Sequence, residues 1–192
     1  GLIGVVHTIH GLPYHPYQSK WLNRLYILSE RWAAKRCHKI ATVCDAMTRQ
    51  SRDARVGIDD QYVTVYSGME VERFVKPGIS RQEIRNELGI NEEDFVIGTI
   101  SRLAELKGHD DLLDALCKNM KSHPDWKLLW IGDGWWRDRL LGKAQEMGFG
   151  KQIITTGLVP SEDVPGYIPA MDVLAHPSYR EGLPRTVPQA LL

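Results

Sequence analysis

The chain is poor in cysteine, has no excess of charge of either sign, and contains no apolar run long enough to span a bilayer. Its three cysteines, Cys37, Cys44 and Cys117, form no CxxC pair. That argues against a disulfide framework or a zinc site and leaves a reducing compartment as the expectation. Lysine plus arginine and aspartate plus glutamate both number 24, so no global positive field draws the chain to nucleic acid. Anion binding, where it occurs, must come from local patches. No GxGxxG follows any strand pattern, which removes the fingerprint of a nicotinamide dinucleotide site. What remains is an ordinary globular composition, 43% hydrophobic and 25% charged over 192 residues, enough for a real core.

Both ends read as cut. The chain opens inside an apolar run, Gly1-Leu2-Ile3-Gly4-Val5-Val6, without a starting methionine, and closes at Leu191-Leu192 inside a helical pattern. A piece of a longer protein is expected.

Strand-like and helix-like stretches alternate between those ends. Strands are predicted over Ile3–Ile9, Ile40–Cys44, Tyr62–Tyr66, Phe95–Ile100, Lys127–Ile131, Ile153–Thr155 and Val173–Ala175. Helices are predicted over Lys20–His38, Ala46–Arg55, Asp110–Met120 and Arg137–Met147, with Gly148 as a stop. Ser80-Arg81-Gln82-Glu83 is a capping box opening a short helix that Gly89 closes. In the first helix Leu22, Leu25, Tyr26, Ser29, Trp32 and Ala33 share one face. In the third, Leu112, Leu113, Leu116 and Met120 form the expected buried stripe. The turn-rich stretch 67–78 reads as a linker, and 161–170 as turns. Repeated strand–helix units imply an α/β fold with parallel sheets covered by helices.

In such sheets ligands bind beyond the carboxyl ends of the strands, where helix N-termini present free N–H groups. Three loops follow strands in this way. Ser101-Arg102-Leu103-Ala104-Glu105-Leu106-Lys107-Gly108-His109 carries two cations five residues apart, either a diphosphate clamp or simply solvated surface charge. Gly132-Asp133-Gly134 permits close backbone approach, although a plain turn has the same pattern. The stretch 176–190 contains Glu181 and Gly182 and then a helix start, a combination suited to phosphate and sugar hydroxyls together. His10, at the end of the first strand, is a further candidate.

Taken in order, these stretches resemble the retaining glycosyltransferases of the GT-B fold, often called family 4. His7-Thr8-Ile9-His10-Gly11 is similar to the end of an acceptor-domain strand. Ser67-Gly68-Met69-Glu70…Arg73-Phe74 is similar to the interdomain segment, and Arg102-Leu103…Lys107-Gly108 to the phosphate loop "GRL…KG". Gly132-Asp133-Gly134 matches "GDG". Gly157, Met171-Asp172-Val173, Pro177-Ser178 and Glu181-Gly182 complete the series. The resemblance implies two Rossmann-like parallel-sheet units. The first, partly present, is the end of an acceptor-side domain with its linker (1–74), and the second is a truncated donor-binding domain (75–192).

The resemblance also implies roles. Arg102 and Lys107 hold the donor diphosphate, Glu181 hydrogen-bonds the donor sugar, and His10 lies beside that sugar; these four are the catalytic set. Gly132, Asp133, Gly134, Gly157, Leu158, Gly182, Leu183, Pro184, Arg185 and Gln189 are the donor-binding set. The implied reaction is metal-independent transfer from a nucleoside-diphosphate sugar to a saccharide or lipid-linked acceptor with retention of configuration. The sugar nucleotide is a substrate, and no cofactor is expected. One departure stands out: the second carboxylate of E-x7-E, which binds the ribose, is Gln189 here. A GT-B-like module that holds the sugar nucleotide without transferring it is therefore the alternative, and the chain by itself is expected to be inactive.

The stretch Lys20–Lys39 carries Trp21 and Trp32 among Lys20, Arg24, Arg31, Lys35, Arg36 and Lys39. The expected reading is an ordinary helix with its aromatic face in the core and its basic face solvated. The other is an interfacial helix on anionic lipid. A cytoplasmic location follows from composition, with peripheral contact at the inner face of the membrane as its extension.

Overall fold

The computed structural model describes residues 4–192, so the start of the apolar run, Gly1-Leu2-Ile3, lies outside the described residues. The chain forms two compact units. One contains the residues up to Met69 together with Glu181–Pro184, and the other contains Glu70–Arg180 and Arg185–Leu192.

The first unit is a parallel sheet of β1 (Val6–Ile9), β2 (Lys39–Thr42) and β3 (Tyr62–Thr64), in the order β1-β2-β3. Its register pairs Ile9 with Thr42 and Ile40 with Tyr62. The crossovers are α1 (Lys20–Ala34) and α2 (Asp45–Asp53). Its core is made by Ile9, Leu12, Ala34, Ile40, Val43, Met47 and Val56. Cys44, expected at the end of a strand, is instead the N-cap of α2.

The buried face of α1 is not the expected one. Trp21 is 70% exposed, Trp32 61%, Leu25 54% and Leu28 52%. The rotation of the helix is set by polar anchors on its other side. Glu30 meets His7 Nε2 at 2.9 Å, and Asn23 exchanges two hydrogen bonds of 2.7 Å with the backbone of His15. The Arg31 guanidinium donates from Nε and Nη2 to the Ala54 carbonyl, at 2.9 and 2.7 Å. Each large apolar side chain left in water forgoes roughly 1.5–3 kcal/mol of burial. The polar anchors, not the hydrophobic stripe, mark the face that α1 turns inward.

The second unit is a four-stranded parallel sheet in the order β6-β5-β4-β7, made of β4 (Phe95–Ile100), β5 (Trp126–Ile131), β6 (Ile153–Thr155) and β7 (Val173–Leu174). β5 shows why the sequence folds this way. Its continuous apolar run sends Leu128 and Trp130 into one cluster, with Leu103, Leu113, Met120 and Leu140. Leu129 and Ile131 go into another, with Ile84, Val96 and Ala170. Alternation across a strand buried on both faces gives that result. Helices α5 (His109–Ser122) and α6 (Arg137–Glu146) supply the first cluster. Helix α4 (Arg81–Glu87), opened by the Ser80–Glu83 capping box, supplies Ile84 to the second. Of the expected stripe on α5, Leu113 and Met120 are fully buried, and Leu112 and Leu116 only partly.

Short helices also occupy stretches read as turns or linker. They are α3 (Val71–Val75) and α7 (Val164–Tyr167). Helix α8 (Thr186–Ala190) follows the last loop. With parallel sheets and helices in both units, the architecture is the expected α/β one.

Candidate functional site

The strand order of the second unit reverses between β4 and β7. The chain runs β4, β5, β6 outward and then returns to the other side of β4. In open α/β sheets ligands bind beyond the carboxyl ends of the strands at such a reversal. The two loops that leave β4 and β7 there are joined. The Leu106 carbonyl accepts from the Tyr179 amide at 3.0 Å and from the Ser178 hydroxyl at 3.2 Å. Gly108, at φ +71°, is the N-cap of α5, and a Cβ there would run into the Pro177 carbonyl. Tyr179 also donates its hydroxyl to Asp111. Leu106 itself has φ +65°, an uncommon conformation for a branched side chain and one that marks a strained loop.

Arg102 and Lys107 both sit on this loop, Arg102 exposed and Lys107 half-buried. The backbone of Arg102 is tied down from below. His109, fully buried, brings Nε2 to 3.1 Å from the Arg102 carbonyl and 3.2 Å from Ser101 Oγ. A carbonyl only accepts, so Nε2 carries the proton and buried Nδ1 is the bare nitrogen. The ring packs edge-on against Trp130, and burial lowers its pKa against the pull of the Arg102 carbonyl. The sequence alone gives His109 no role: it stands as the last residue of the loop before a helix expected at Asp110, whereas it opens α5.

The glycine loop after β5 is locked to the loop after β4. The Leu103 amide donates to Asp133 and the Trp136 amide to Leu103, each at 3.0 Å. A Cβ at Gly132 would strike the Ser101 carbonyl, and one at Gly134 the Leu103 carbonyl. Asp133 caps the turn by accepting from the Gly134 amide at 2.7 Å. Gly132 bridges Gly157 after β6, and Leu158 beside it is 85% exposed. Trp135 is likewise exposed, and its ring centroid lies 5.8 Å from the Arg102 guanidinium carbon. Thus Arg102, Lys107, Gly132, Asp133, Gly134, Gly157 and Leu158 lie on three adjoining loops at one end of one sheet. Arg185 and Gln189 belong to the same unit, Arg185 as the N-cap of α8 and Gln189 within it.

The remaining candidates group with the first unit. A Cβ at Gly182 would collide with the His10 carbonyl and come within 3.3 Å of Met47 Sδ. The Cys44 thiol lies 3.4 Å from the Gly182 carbonyl, and Leu183 packs on the Ile9–Met47 core. So the segment Glu181–Pro184 lies against the end of β1 that carries His10.

Asp172, part of the last motif, has a structural partner set that spacing could not reveal. It meets Arg81, buried Arg85 at 2.8 Å and the Val96 amide at 2.7 Å. Burial works against its charge, but the Val96 N–H and the two arginines hold its carboxyl below the usual range. Among the described residues no three His, Cys, Asp or Glu side chains are grouped to hold a metal ion.

The glycosyl transferases group 1 family matches residues 80–191, more than half of the chain. This chain belongs to the glycosyl transferases group 1 family. It is 27% identical to the 2-deoxystreptamine glucosyltransferase of Streptomyces kanamyceticus over 165 residues, 85% of this chain and 42% of that protein. It is also 27% identical to the alpha-monoglucosyldiacylglycerol synthase of Acholeplasma laidlawii, over 97% of this chain and 50% of the relative. In fold it superposes on Anabaena HepE, solved in complex with UDP and glucose. The TM-score is 0.81 at 22% identity, over 98% of this chain and 50% of that one. The chain thus spans about half the length of the curated relatives it matches.

Proposed function

We propose that this chain supplies the sugar-nucleotide-binding part of a glycosyltransferase that retains anomeric configuration and works without a metal. The observation that carries the reading is the union of the Arg102–Gly108 loop with the loop after β7 at the strand-order reversal. It sets two cations of the right spacing where a diphosphate is expected. Arg102 presents a planar fork and Lys107 a point charge, and together they stabilise the negative charge that grows on the leaving nucleoside diphosphate. The leaving phosphate then takes the acceptor's proton as the new glycosidic bond forms. Gly132–Gly134, Gly157 and Leu158 face the nucleoside, Arg185 and Gln189 complete the nucleotide contacts, and Glu181 and the backbone of Gly182–Pro184 take the sugar. His10 is assigned to the sugar as well. The acceptor is a saccharide or a lipid-linked acceptor.

Calorimetric titration with UDP, GDP and ADP in the presence of a chelator tests this reading. One nucleotide is expected to bind, and Arg102→Ala with Lys107→Ala to abolish the heat. Binding that needs a divalent ion, or that survives the double substitution, overturns it.

A further inference from the structure

The loops after β5 and β6 are zipped together at the end of the sheet that the donor reading gives to the nucleoside. The Gly132 amide donates to Thr156 Oγ1 at 3.3 Å, and that hydroxyl donates to the Gly157 carbonyl at 2.9 Å. Arg137 opens α6 beside this junction, its amide donating to the Gly134 carbonyl at 3.0 Å. Its half-buried side chain reaches across to β6, where Nη2 lies 3.5 Å from Thr155 Oγ1, at the outer limit of a hydrogen bond. Nε is buried and has no partner.

Packing gives no account of a guanidinium in this place. A cation in the first turn of a helix faces the positive end of the dipole, and a buried N–H without an acceptor is destabilising. Among the described residues no carboxylate pairs with Arg137. Arg139, two residues further along α6, shows the structural alternative: it pairs with Asp110, and its guanidinium carbon lies 4.1 Å from the Trp136 ring centroid.

We propose that Arg137 is a specificity-determining residue of the donor site, donating to a ring carbonyl of the nucleobase. The assignment rests on the donor reading and deepens it by naming the class of base. A guanidinium has donors only, so it needs an acceptor edge. Uracil and guanine offer ring carbonyls, and the O6 and N7 edge of guanine fits the arginine fork. Adenine has no carbonyl and sets an amino donor beside N7, an edge that suits an amide instead. Arg102 and Lys107 hold the diphosphate that every nucleotide shares, and Arg137 separates keto bases from adenine.

Calorimetry of the whole chain with UDP, GDP, ADP and inorganic pyrophosphate tests this. The native chain is expected to bind UDP or GDP more tightly than ADP. Arg137→Met is expected to weaken the favoured nucleotide on the order of 30-fold, the size of one charge-assisted hydrogen bond. ADP and pyrophosphate should bind as before. Arg137→Lys, which keeps the charge and loses the fork, should lose most of the same preference. Arg137→Met should also melt no lower than the native chain, because it removes an unpartnered donor and a cation from the start of α6. An arginine with only a structural role would melt lower on substitution and weaken all four ligands alike. A native preference for ADP, a preference unmoved in both variants, or an equal loss of pyrophosphate overturns the assignment and leaves the diphosphate clamp standing. Failure of the donor reading has a different signature: pyrophosphate and all three nucleotides would bind the native chain no better than they bind Arg102→Ala with Lys107→Ala, and both proposals would fall.

Discussion

Nε2 of His109 lies 3.1 Å from the carbonyl oxygen of Arg102, so a fully buried imidazole holds the backbone of the residue that presents the guanidinium. Burial keeps the ring neutral, and that neutrality matters to the loop, because a protonated ring would have to be solvated where no water reaches.

His109→Leu removes the imidazole donor to the Arg102 carbonyl and sets an apolar side chain beside that oxygen. A loss of about 1–3 kcal/mol is expected, together with weaker nucleotide binding, measured by thermal melting and calorimetry. The pH dependence has a definite sign. Because the folded pKa of His109 is lowered, the unfolded chain takes up the proton first as pH falls. Its contribution is complete above the unfolded value of about 6.5 and is lost as pH falls through the folded value. Melts at pH 7.5 and pH 5 should converge more in His109→Leu than in the native chain. Equal slopes would show that the ring is not what titrates.

Asp172 and Arg85 make a different prediction. The Arg85 side chain is almost wholly buried and also donates to the carbonyls of Ala170, Asn91, Glu92 and Asp94. Asp172→Asn removes one charge but leaves those four acceptors engaged, and the Asp172 side chain is 26% exposed. Its cost is expected near 2 kcal/mol, below the ~3–5 kcal/mol of a fully buried broken pair. Arg85→Met, which strands the carbonyls, should cost more. The folded pKa of Asp172 is depressed, so its contribution is present above the unfolded value of about 3.9 and is lost as pH falls through the folded one. Denaturant melts from pH 6 to pH 3 check both orderings.

These two sites mark what the sequence makes legible. β4 and β6 match their expected bounds because apolar runs bounded by turns have few other uses in a parallel sheet. The capping box at Ser80 was readable because it is local. The loops with Arg102 and Gly132 were readable because glycines and cations after strands have a mechanism. The Arg85–Asp172 contact spans 87 residues, and His109 acts upward onto a loop, so neither leaves a local trace. The rotation of α1 was misjudged for a related reason. Periodicity locates an apolar face, but Glu30–His7 and Arg31–Ala54 decide whether that face turns inward.

Two glycines in adjacent elements should respond in opposite directions. Gly134 has no room for a Cβ against the Leu103 carbonyl, so Gly134→Ala must move one of two hydrogen-bonded loops. A destabilisation of about 1–3 kcal/mol and weaker nucleotide binding are expected. Gly142, inside α6, has open space around it. Gly142→Ala should stabilise by about 0.5–1 kcal/mol and leave binding unchanged. Paired melts and titrations separate a clash at the site from helix propensity.

Gln189 tests the departure from the family pattern. It lies in α8, eight residues after Glu181, where the resemblance puts a carboxylate on the ribose. An amide oxygen accepts from a hydroxyl without charge assistance, and a charged acceptor strengthens such a bond by about 1 kcal/mol. Gln189→Glu is therefore expected to tighten binding of the preferred nucleoside diphosphate about fivefold. Inorganic pyrophosphate, which has no ribose, should bind no better, because the new charge repels its phosphates without gaining a hydroxyl. Calorimetry with both ligands gives the difference directly. Equal gains for both would mean a general change in the loop. A loss for the nucleotide alone would mean that this site is tuned for the neutral amide, as a binding module without transfer would require.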